Sequence, residues 1–128
     1  ANPASMRAAL AVLPALPRSD YPRRIAVLGD MLELGPDAPA MHADLWDAID
    51  SAGVDLVFAA GPHMAGLYER VSGARRGGWA QTSAELEPIL MAALKPGDAV
   101  MVKGSNGSKM GLLVAAMLSK FNRTGSRE

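Results

Sequence analysis

The side chains best suited to chemistry in this chain are two carboxylates, an imidazole and an amine, and each stands at the end of an apolar run. Asp30 and Glu33 come after the first of these runs. His63 comes after the second run, and Lys103 ends the last one. Together they provide charges of both signs. Such a set suits a zwitterionic or carboxylate-bearing ligand better than an apolar one.

Lys103 opens a glycine-rich segment that carries hydroxyl and amide groups. Ser105, Asn106 and Ser108 follow it within five positions. A lysine that ends a buried strand is costly unless its ammonium points into a cleft. We therefore take Lys103, Ser105 and Asn106 as candidate ligand-binding residues, beside Asp30, Glu33 and His63.

The histidines and the carboxylates also have structural interpretations, which the sequence leaves open. Asp30 and Glu33 can cap the helix that follows them. His63 can be an incidental surface residue at a helix start. His42 lies inside an amphipathic helical pattern, where a structural or solvated role is expected.

Apolar runs and helical periodicities alternate along the chain. Strands are predicted at residues 25–28, 54–60, 79–81 and 99–103. Helices are predicted at about residues 2–13, 36–53, 62–71, 82–94 and 110–118, with caps at Asn2, Asp37 and Thr82. This alternation is typical of a parallel sheet with helices on both faces, so the loops after the strands should meet at one edge, where such folds bind ligands.

Composition limits the possible partners. The 128 residues hold 13 basic and 13 acidic side chains, so no basic excess supports binding to nucleic acid or to a membrane surface. No cysteine is present, which excludes disulfides and thiolate metal sites and fits a reducing cytoplasm. We expect one domain over residues 1–121 and a polar tail over residues 122–128.

Several enzyme signatures are missing from the sequence. Residues 104–110 do not meet the phosphate-loop spacing, because Lys109 is followed by Met110. The dinucleotide, zinc-protease and nucleophile-elbow patterns are also absent. Two histidines without cysteines make a protein metal cage improbable. The chain therefore contains no complete catalytic constellation.

Three segments taken together resemble the C-terminal domain of Mur ligases. They are residues 1–10, beginning Ala-Asn-Pro-Ala-Ser, residues 25–35 with Leu-Gly-Asp-Met-Leu-Glu-Leu-Gly, and the Val-Lys-Gly-Ser of residues 102–105. The resemblance implies an α/β fold, a Rossmann-like three-layer sandwich whose mostly parallel sheet has about four to six strands flanked by helices. Domains of this type usually open with a strand, so we expect the N-terminal edge to lie outside this chain.

The resemblance also implies an activity. The run at residues 29–35 is similar to that of the family branch that joins D-alanyl-D-alanine to UDP-N-acetylmuramoyl-tripeptide in peptidoglycan precursor synthesis. These cytoplasmic enzymes use ATP and Mg²⁺ to make an acyl phosphate, which the incoming amino group attacks. Their C-terminal domain closes over a central ATPase domain of the same polypeptide. The resemblance thus implies a part of a ligase, inactive as an isolated fragment and binding no cofactor alone.

Some residues are carried over from the resemblance by position. Asn2 and Pro3 match the end of a family motif on the nucleotide side of the domain cleft. Lys103 and Ser105 fall where a related ligase holds its amino-acid substrate. Many family members place an arginine where this chain has Asn106, so Lys109 is an alternative source of positive charge.

A second interpretation remains open at this point. The chain is then a free-standing, non-catalytic α/β ligand-binding or interaction domain. A phosphate-loop domain encoded directly upstream favours the ligase, whereas a start codon at Ala1 favours the free-standing domain.

Overall fold

The computed structural model describes residues 1–125, except for the side chains of Asn106 and of residues 122–125. Its centre is a four-stranded sheet in which every neighbouring pair is parallel. The strands are β1 (Arg24–Gly29), β2 (Leu56–Ala60), β3 (Arg76–Ala80) and β4 (Ala99–Lys103), in the order β3-β2-β1-β4. The predicted α/β fold with a parallel sheet is confirmed.

Six helices accompany the sheet within residues 1–125. They are α1 (Pro3–Val12), α2 (Ala38–Ala43), α3 (Trp46–Ser51), α4 (Met64–Arg70), α5 (Ser83–Ala93) and α6 (Gly111–Gly125). Helix α6 extends into residues 122–125, which the sequence assigned to the tail, and residues 126–128 lie outside the description. None of these helices has the length and apolar character needed to cross a membrane.

Two of the predicted caps are confirmed. Asn2 Oδ1 accepts the N–H of Ser5 at 2.8 Å, and the Asn2 N–H donates to the Ser5 hydroxyl at 3.1 Å. Thr82 Oγ1 accepts the N–H of Glu85 at 3.1 Å. Each cap satisfies a backbone donor that the first turn of a helix leaves free.

The prediction of one helix over residues 36–53, capped by Asp37, is wrong. The chain forms α2 and α3 instead, separated where the Leu45 N–H bonds the His42 carbonyl three residues back, at 3.2 Å. That tighter bond ends the first helix. Asp37 makes no side-chain cap bond, because its φ of −88° and ψ of 7° are not the extended conformation that a cap requires.

The core is divided by the sheet into two layers. Ala26 and Leu28 face a cluster formed with α1, α3 and α4. Ile25 and Val27 face the opposite cluster, formed with α5 and α6. This division follows from the alternation of side chains along a strand, and it fixes β1 rigidly between the layers.

Ion pairs secure the edge of the sheet where the strands begin. Arg23 binds Asp98 through two hydrogen bonds, from Nε at 2.8 Å and from Nη2 at 2.7 Å. Burial of Asp98 opposes its ionisation, but the Arg23 hydrogen bonds, the Lys95 N–H and both positive charges outweigh burial and lower the pKa of this carboxyl. The starts of β1 and β4 are therefore joined by the largely buried ion pair of Arg23 and Asp98.

Replacing Asp98 with Asn removes the charge and keeps the shape. We expect the free energy of unfolding at neutral pH to fall by ~1–3 kcal/mol, because Arg23 loses its buried partner. Since folding lowers the Asp98 pKa, this stabilisation is complete above the ordinary value of 3.8 and disappears as the pH falls through the folded-state pKa. Urea unfolding should therefore separate the two proteins at neutral pH and bring them together in acid.

The control for this comparison is Asp20→Asn, at an exposed position. It should match the parent protein at every pH. A loss in Asp98→Asn that persists undiminished in acid would contradict the assignment.

Candidate functional site

A cleft of about 600 Å³ lies where the four strands end. We call it the carboxyl-edge cleft, and its walls come from the loops after all four strands. It is lined by Asp30, Leu32, Leu112 and residues 60–63, 81–84 and 107–109. The predicted convergence of the loops after β1, β2 and β4 is confirmed, and the loop after β3 joins them.

The backbone of Asp30 connects the loop after β1 to the loop after β4. Its carbonyl accepts the Ser105 N–H at 3.1 Å and the Ser108 hydroxyl at 2.7 Å. The Ser105 hydroxyl in turn accepts the Leu32 N–H at 2.9 Å. The hydroxyls of this segment are thus engaged in holding the two loops together.

The carboxylate of Asp30 connects the same loop to α4. It accepts the N–H groups of His63 at 3.1 Å and Met64 at 2.9 Å, and Asp30 is only 4% exposed. Gly61 makes room for it, since a Cβ there would lie 2.4 Å from the Asp30 carboxyl carbon. Asp30 therefore caps α4, the helix that follows the neighbouring strand β2, and not the helix that follows it in sequence as the capping interpretation expected.

Glycines allow the close contact between β1 and β4 at this edge. A Cβ on Gly104 would lie 3.1 Å from the Cα of Gly29, and a Cβ on Gly29 would meet the Met110 sulfur at 2.6 Å. A side chain at either position would therefore have to displace the Met110 side chain. The loops that follow these glycines stay together through the bond from the Ser105 N–H to the Asp30 carbonyl.

Two other candidates lie outside the cleft walls. Glu33 is exposed in the left-handed backbone region, with a φ of 63°. Lys103 ends β4 opposite Leu28 and is half-buried. Neither residue is part of the cleft lining, and the Asn106 side chain lies outside the described residues.

The two histidines meet beside the cleft. His42 is fully buried, its Nε2 accepts the Met31 N–H at 2.8 Å, and its Nδ1 lies 2.6 Å from the Ala38 carbonyl. An Nε2 that accepts and an Nδ1 that donates define a neutral ring. Burial lowers the His42 pKa and outweighs the opposing effects of the Ala38 carbonyl and the Asp30 charge, while His63 lowers it further. The His63 ring lies 5.2 Å away, centroid to centroid.

Sequence reasoning missed the contribution of the loop after β3. Gln81, Thr82, Ser83 and Ala84 line the cleft, although they were assigned only to a strand end and a helix start. The available signal was the rule that the carboxyl ends of parallel strands share one edge. Applied to the short strand ending near Ala80, it places these residues beside the other loops.

The two nucleotide-side candidates serve the start of α1. Asn2 is engaged in the cap described above, and neither Asn2 nor Pro3 lines the cleft. For metals, the described residues contain no group of three His, Cys, Asp or Glu side chains that could hold an ion.

Comparison with known proteins identifies relatives over most of the chain. The family described as "Mur ligase, glutamate ligase domain" matches residues 1–106. The UDP-N-acetylmuramoyl-tripeptide--D-alanyl-D-alanine ligases of Synechocystis sp. and Escherichia coli K12 are each 32% identical, over 87% and 91% of this chain. The chain spans 25% of the length of each of these relatives.

Solved structures have the same fold. A crystal structure of MurF from Acinetobacter baumannii superimposes with a TM-score of 0.78 at 29% identity, over 93% of this chain and 26% of that one. The MurF ligase from Thermotoga maritima in complex with ADP gives a TM-score of 0.75 at 18% identity, over 97% of this chain and 27% of that one. The second similarity concerns the fold alone.

The buried His42 predicts a dependence of stability on pH. Because folding lowers its pKa, the stabilisation is complete above the ordinary value of 6.5 and is lost as the pH falls below it toward the folded-state pKa. Urea unfolding measures the free energy of unfolding of the parent protein and of His42→Gln. The difference between the two should become smaller below pH 6.5. A gap that stays constant from neutral pH into mild acid would contradict a neutral, buried ring.

The Gly61 site predicts a matched pair of glycine substitutions. Gly61→Ala should destabilise the protein by roughly 1–3 kcal/mol, because it puts a side chain at a strained backbone angle and against the Asp30 carboxylate. Gly66→Ala, inside α4 with open space around it, should stabilise by about 0.5–1 kcal/mol. Thermal unfolding measures both. Equal effects would contradict both the strained backbone angle at Gly61 and its contact with the Asp30 carboxylate.

Proposed function

The chain belongs to the Mur ligase family, as a glutamate ligase domain, and on this premise we propose that it is the C-terminal domain of an ATP-dependent peptide ligase. That ligase joins D-alanyl-D-alanine to UDP-N-acetylmuramoyl-tripeptide in peptidoglycan precursor synthesis. The observation that carries the proposal is the 32% identity to ligases of that name over about nine-tenths of this chain.

The chemistry divides between this domain and the rest of the polypeptide. ATP phosphorylates the terminal carboxylate of the tripeptide, the amino group of the dipeptide attacks the resulting acyl phosphate, and inorganic phosphate leaves. This chain contains no phosphate-loop sequence, and its described residues offer no cluster for Mg²⁺. Its part is to hold the dipeptide at the carboxyl-edge cleft and to close over the central ATPase domain in the cytoplasm.

The candidate residues take different parts in this proposal. Asp30 shapes the cleft, because both of its carboxylate oxygens already accept backbone N–H groups. Ser105 fixes the loop of Leu32 in the same way. The cleft is flanked by Glu33, Lys103 and Asn106. These residues contact the substrate when the central domain closes over the cleft.

The three remaining candidates have supporting parts. His63 lines the cleft beside the helix that Asp30 caps. Asn2 and Pro3 begin the helix that we place on the nucleotide side. None of the three takes part in the bond-making step.

The decisive experiment is a ligation assay on the full polypeptide that contains this chain. We expect phosphate release that requires ATP, UDP-N-acetylmuramoyl-tripeptide and D-alanyl-D-alanine together, with the pentapeptide product identified by mass. Because the family description names glutamate, D-glutamate with the corresponding shorter acceptor is the competing substrate pair. The isolated chain is the control and should hydrolyse no ATP.

Two outcomes would overturn the proposal. Ligation of glutamate but not of the dipeptide would assign the chain to another branch of the family. Dipeptide binding without ligation by the full polypeptide would favour the free-standing binding domain.

A further inference from the structure

The first turn of α5 presents free hydrogen-bond donors to the carboxyl-edge cleft. Thr82 caps this turn by accepting the Glu85 N–H, which leaves the backbone N–H groups of Ser83 and Ala84. Neither group has an acceptor among the residues that the structure describes. Both residues line the cleft, so two donors at the positive end of an eleven-residue helix are directed toward it.

The Ser83 side chain adds a third donor at the same place. Ser83 is only 4% exposed, and within the described part of the chain its hydroxyl has no hydrogen-bond partner. Among the described residues, Arg24 Nε is the one side-chain polar atom that is fully buried without a hydrogen-bond partner. The unpartnered Ser83 hydroxyl is therefore not fully buried. Its small exposed area opens into the cleft that Ser83 lines.

A positive charge faces the same space from the loop after β4. Lys109 lines the cleft and is exposed, and its ammonium forms no ion pair or hydrogen bond with any described residue. Lys109 lies just before α6, and its backbone φ of 57° is uncommon for a residue other than glycine.

The carboxylate that lines the cleft, Asp30, forms no ion pair with Lys109. The Asp30 carboxylate is occupied by the N–H groups of His63 and Met64, which also removes the start of α4 as an anion site. Glu85 lies outside the lining, with its carboxylate 3.2 Å from the Thr82 hydroxyl. An anion entering the cleft is therefore directed toward α5 and Lys109.

We propose that Ser83, Ala84 and Lys109 form an oxyanion subsite in the carboxyl-edge cleft. The two backbone N–H groups and the Ser83 hydroxyl donate hydrogen bonds to one anionic group, and the Lys109 ammonium balances its charge. Leu32 and Leu112, which are 39% and 51% exposed, provide apolar wall beside it for a small aliphatic substituent. The ligand class is a small oxyanion with an apolar neighbour.

Two sources can supply this oxyanion, namely the carboxylate of a dipeptide and the phosphate of a nucleotide. The dipeptide source rests on the proposed function, and the phosphate source does not. Backbone amide NMR of the 128-residue chain distinguishes them through the Ser83 and Ala84 signals. The probes are D-alanyl-D-alanine, its C-terminal amide, inorganic phosphate and ADP.

The subsite predicts a charge-dependent response. D-alanyl-D-alanine or a phosphate probe should shift the Ser83 and Ala84 signals, and the dipeptide amide should shift them far less. Lys109→Gln and Ser83→Ala should each weaken the binding by about three- to tenfold. Lys95→Gln and Ser19→Ala are the matched controls at exposed positions away from the cleft, and they should leave binding unchanged.

Three results would overturn the subsite. They are the absence of any shift at Ser83 and Ala84 with all four probes, equal shifts from the dipeptide and its amide without a response to phosphate, and a loss of binding in Lys103→Gln that Lys109→Gln does not show. The last result would move the anion to the end of β4. Retained amide spectra in each variant exclude misfolding as the cause.

The subsite and the proposed function can fail separately. In the full polypeptide, Lys109→Gln should raise the KM for D-alanyl-D-alanine three- to tenfold and leave kcat nearly unchanged if the dipeptide carboxylate is the ligand. Active ligation with an unchanged KM for both dipeptide and ATP would retain the function and reject the subsite. Phosphate binding at Ser83 in a polypeptide that ligates no dipeptide would retain the subsite and reject the function.

Discussion

The carboxyl edge of this domain depends on one buried carboxylate. Asp30 leaves the end of β1 and caps α4 with its side chain, while its backbone carbonyl holds the loop after β4. Three segments that are distant in sequence are thereby fixed to the central strand of the sheet. Removing the carboxylate would leave two N–H groups unsatisfied at the start of α4, which is why the interaction governs the shape of the cleft.

The two edges of the sheet use charge for different purposes. Where the strands begin, carboxylates pair with guanidinium groups, as in Arg23–Asp98 and Arg18–Asp55. Where they end, Asp30 is paired with backbone N–H groups and leaves the Lys109 ammonium without a partner among the described residues. The carboxylates named at the first edge are paired with guanidinium groups, whereas the second edge keeps an ammonium that can still bind a ligand.

The sequence predicted the layers of the fold well, because the apolar runs and their spacing reflect burial on both faces of a parallel sheet. It also located the loops of Asp30, His63 and Ser105 at one edge. It predicted both Thr82 and Asp37 as helix caps, but only Thr82 is one. Asp37 has a suitable side chain, but its backbone angles are not those of a cap. Side-chain type indicates capping ability, whereas the local φ and ψ depend on how the segment packs.

The candidate site was harder to predict than the fold. Lys103 satisfied the rule for a functional lysine, yet it is half-buried at the end of β4 and is not part of the cleft lining. Ser83 gave no signal, because a serine after a helix cap is common. What distinguishes it is the combination of burial and an unpartnered hydroxyl, and only three-dimensional packing creates that combination.

The touching glycines Gly29 and Gly104 have a consequence for how this site can vary. Because no side chain lies between β1 and β4 at that point, main-chain contact sets the spacing of the cleft walls. Rotamer changes and substitutions in the loops then alter the lining without altering the width. The backbone frame of the opening lies in the strands, whereas most of its lining residues lie in the loops.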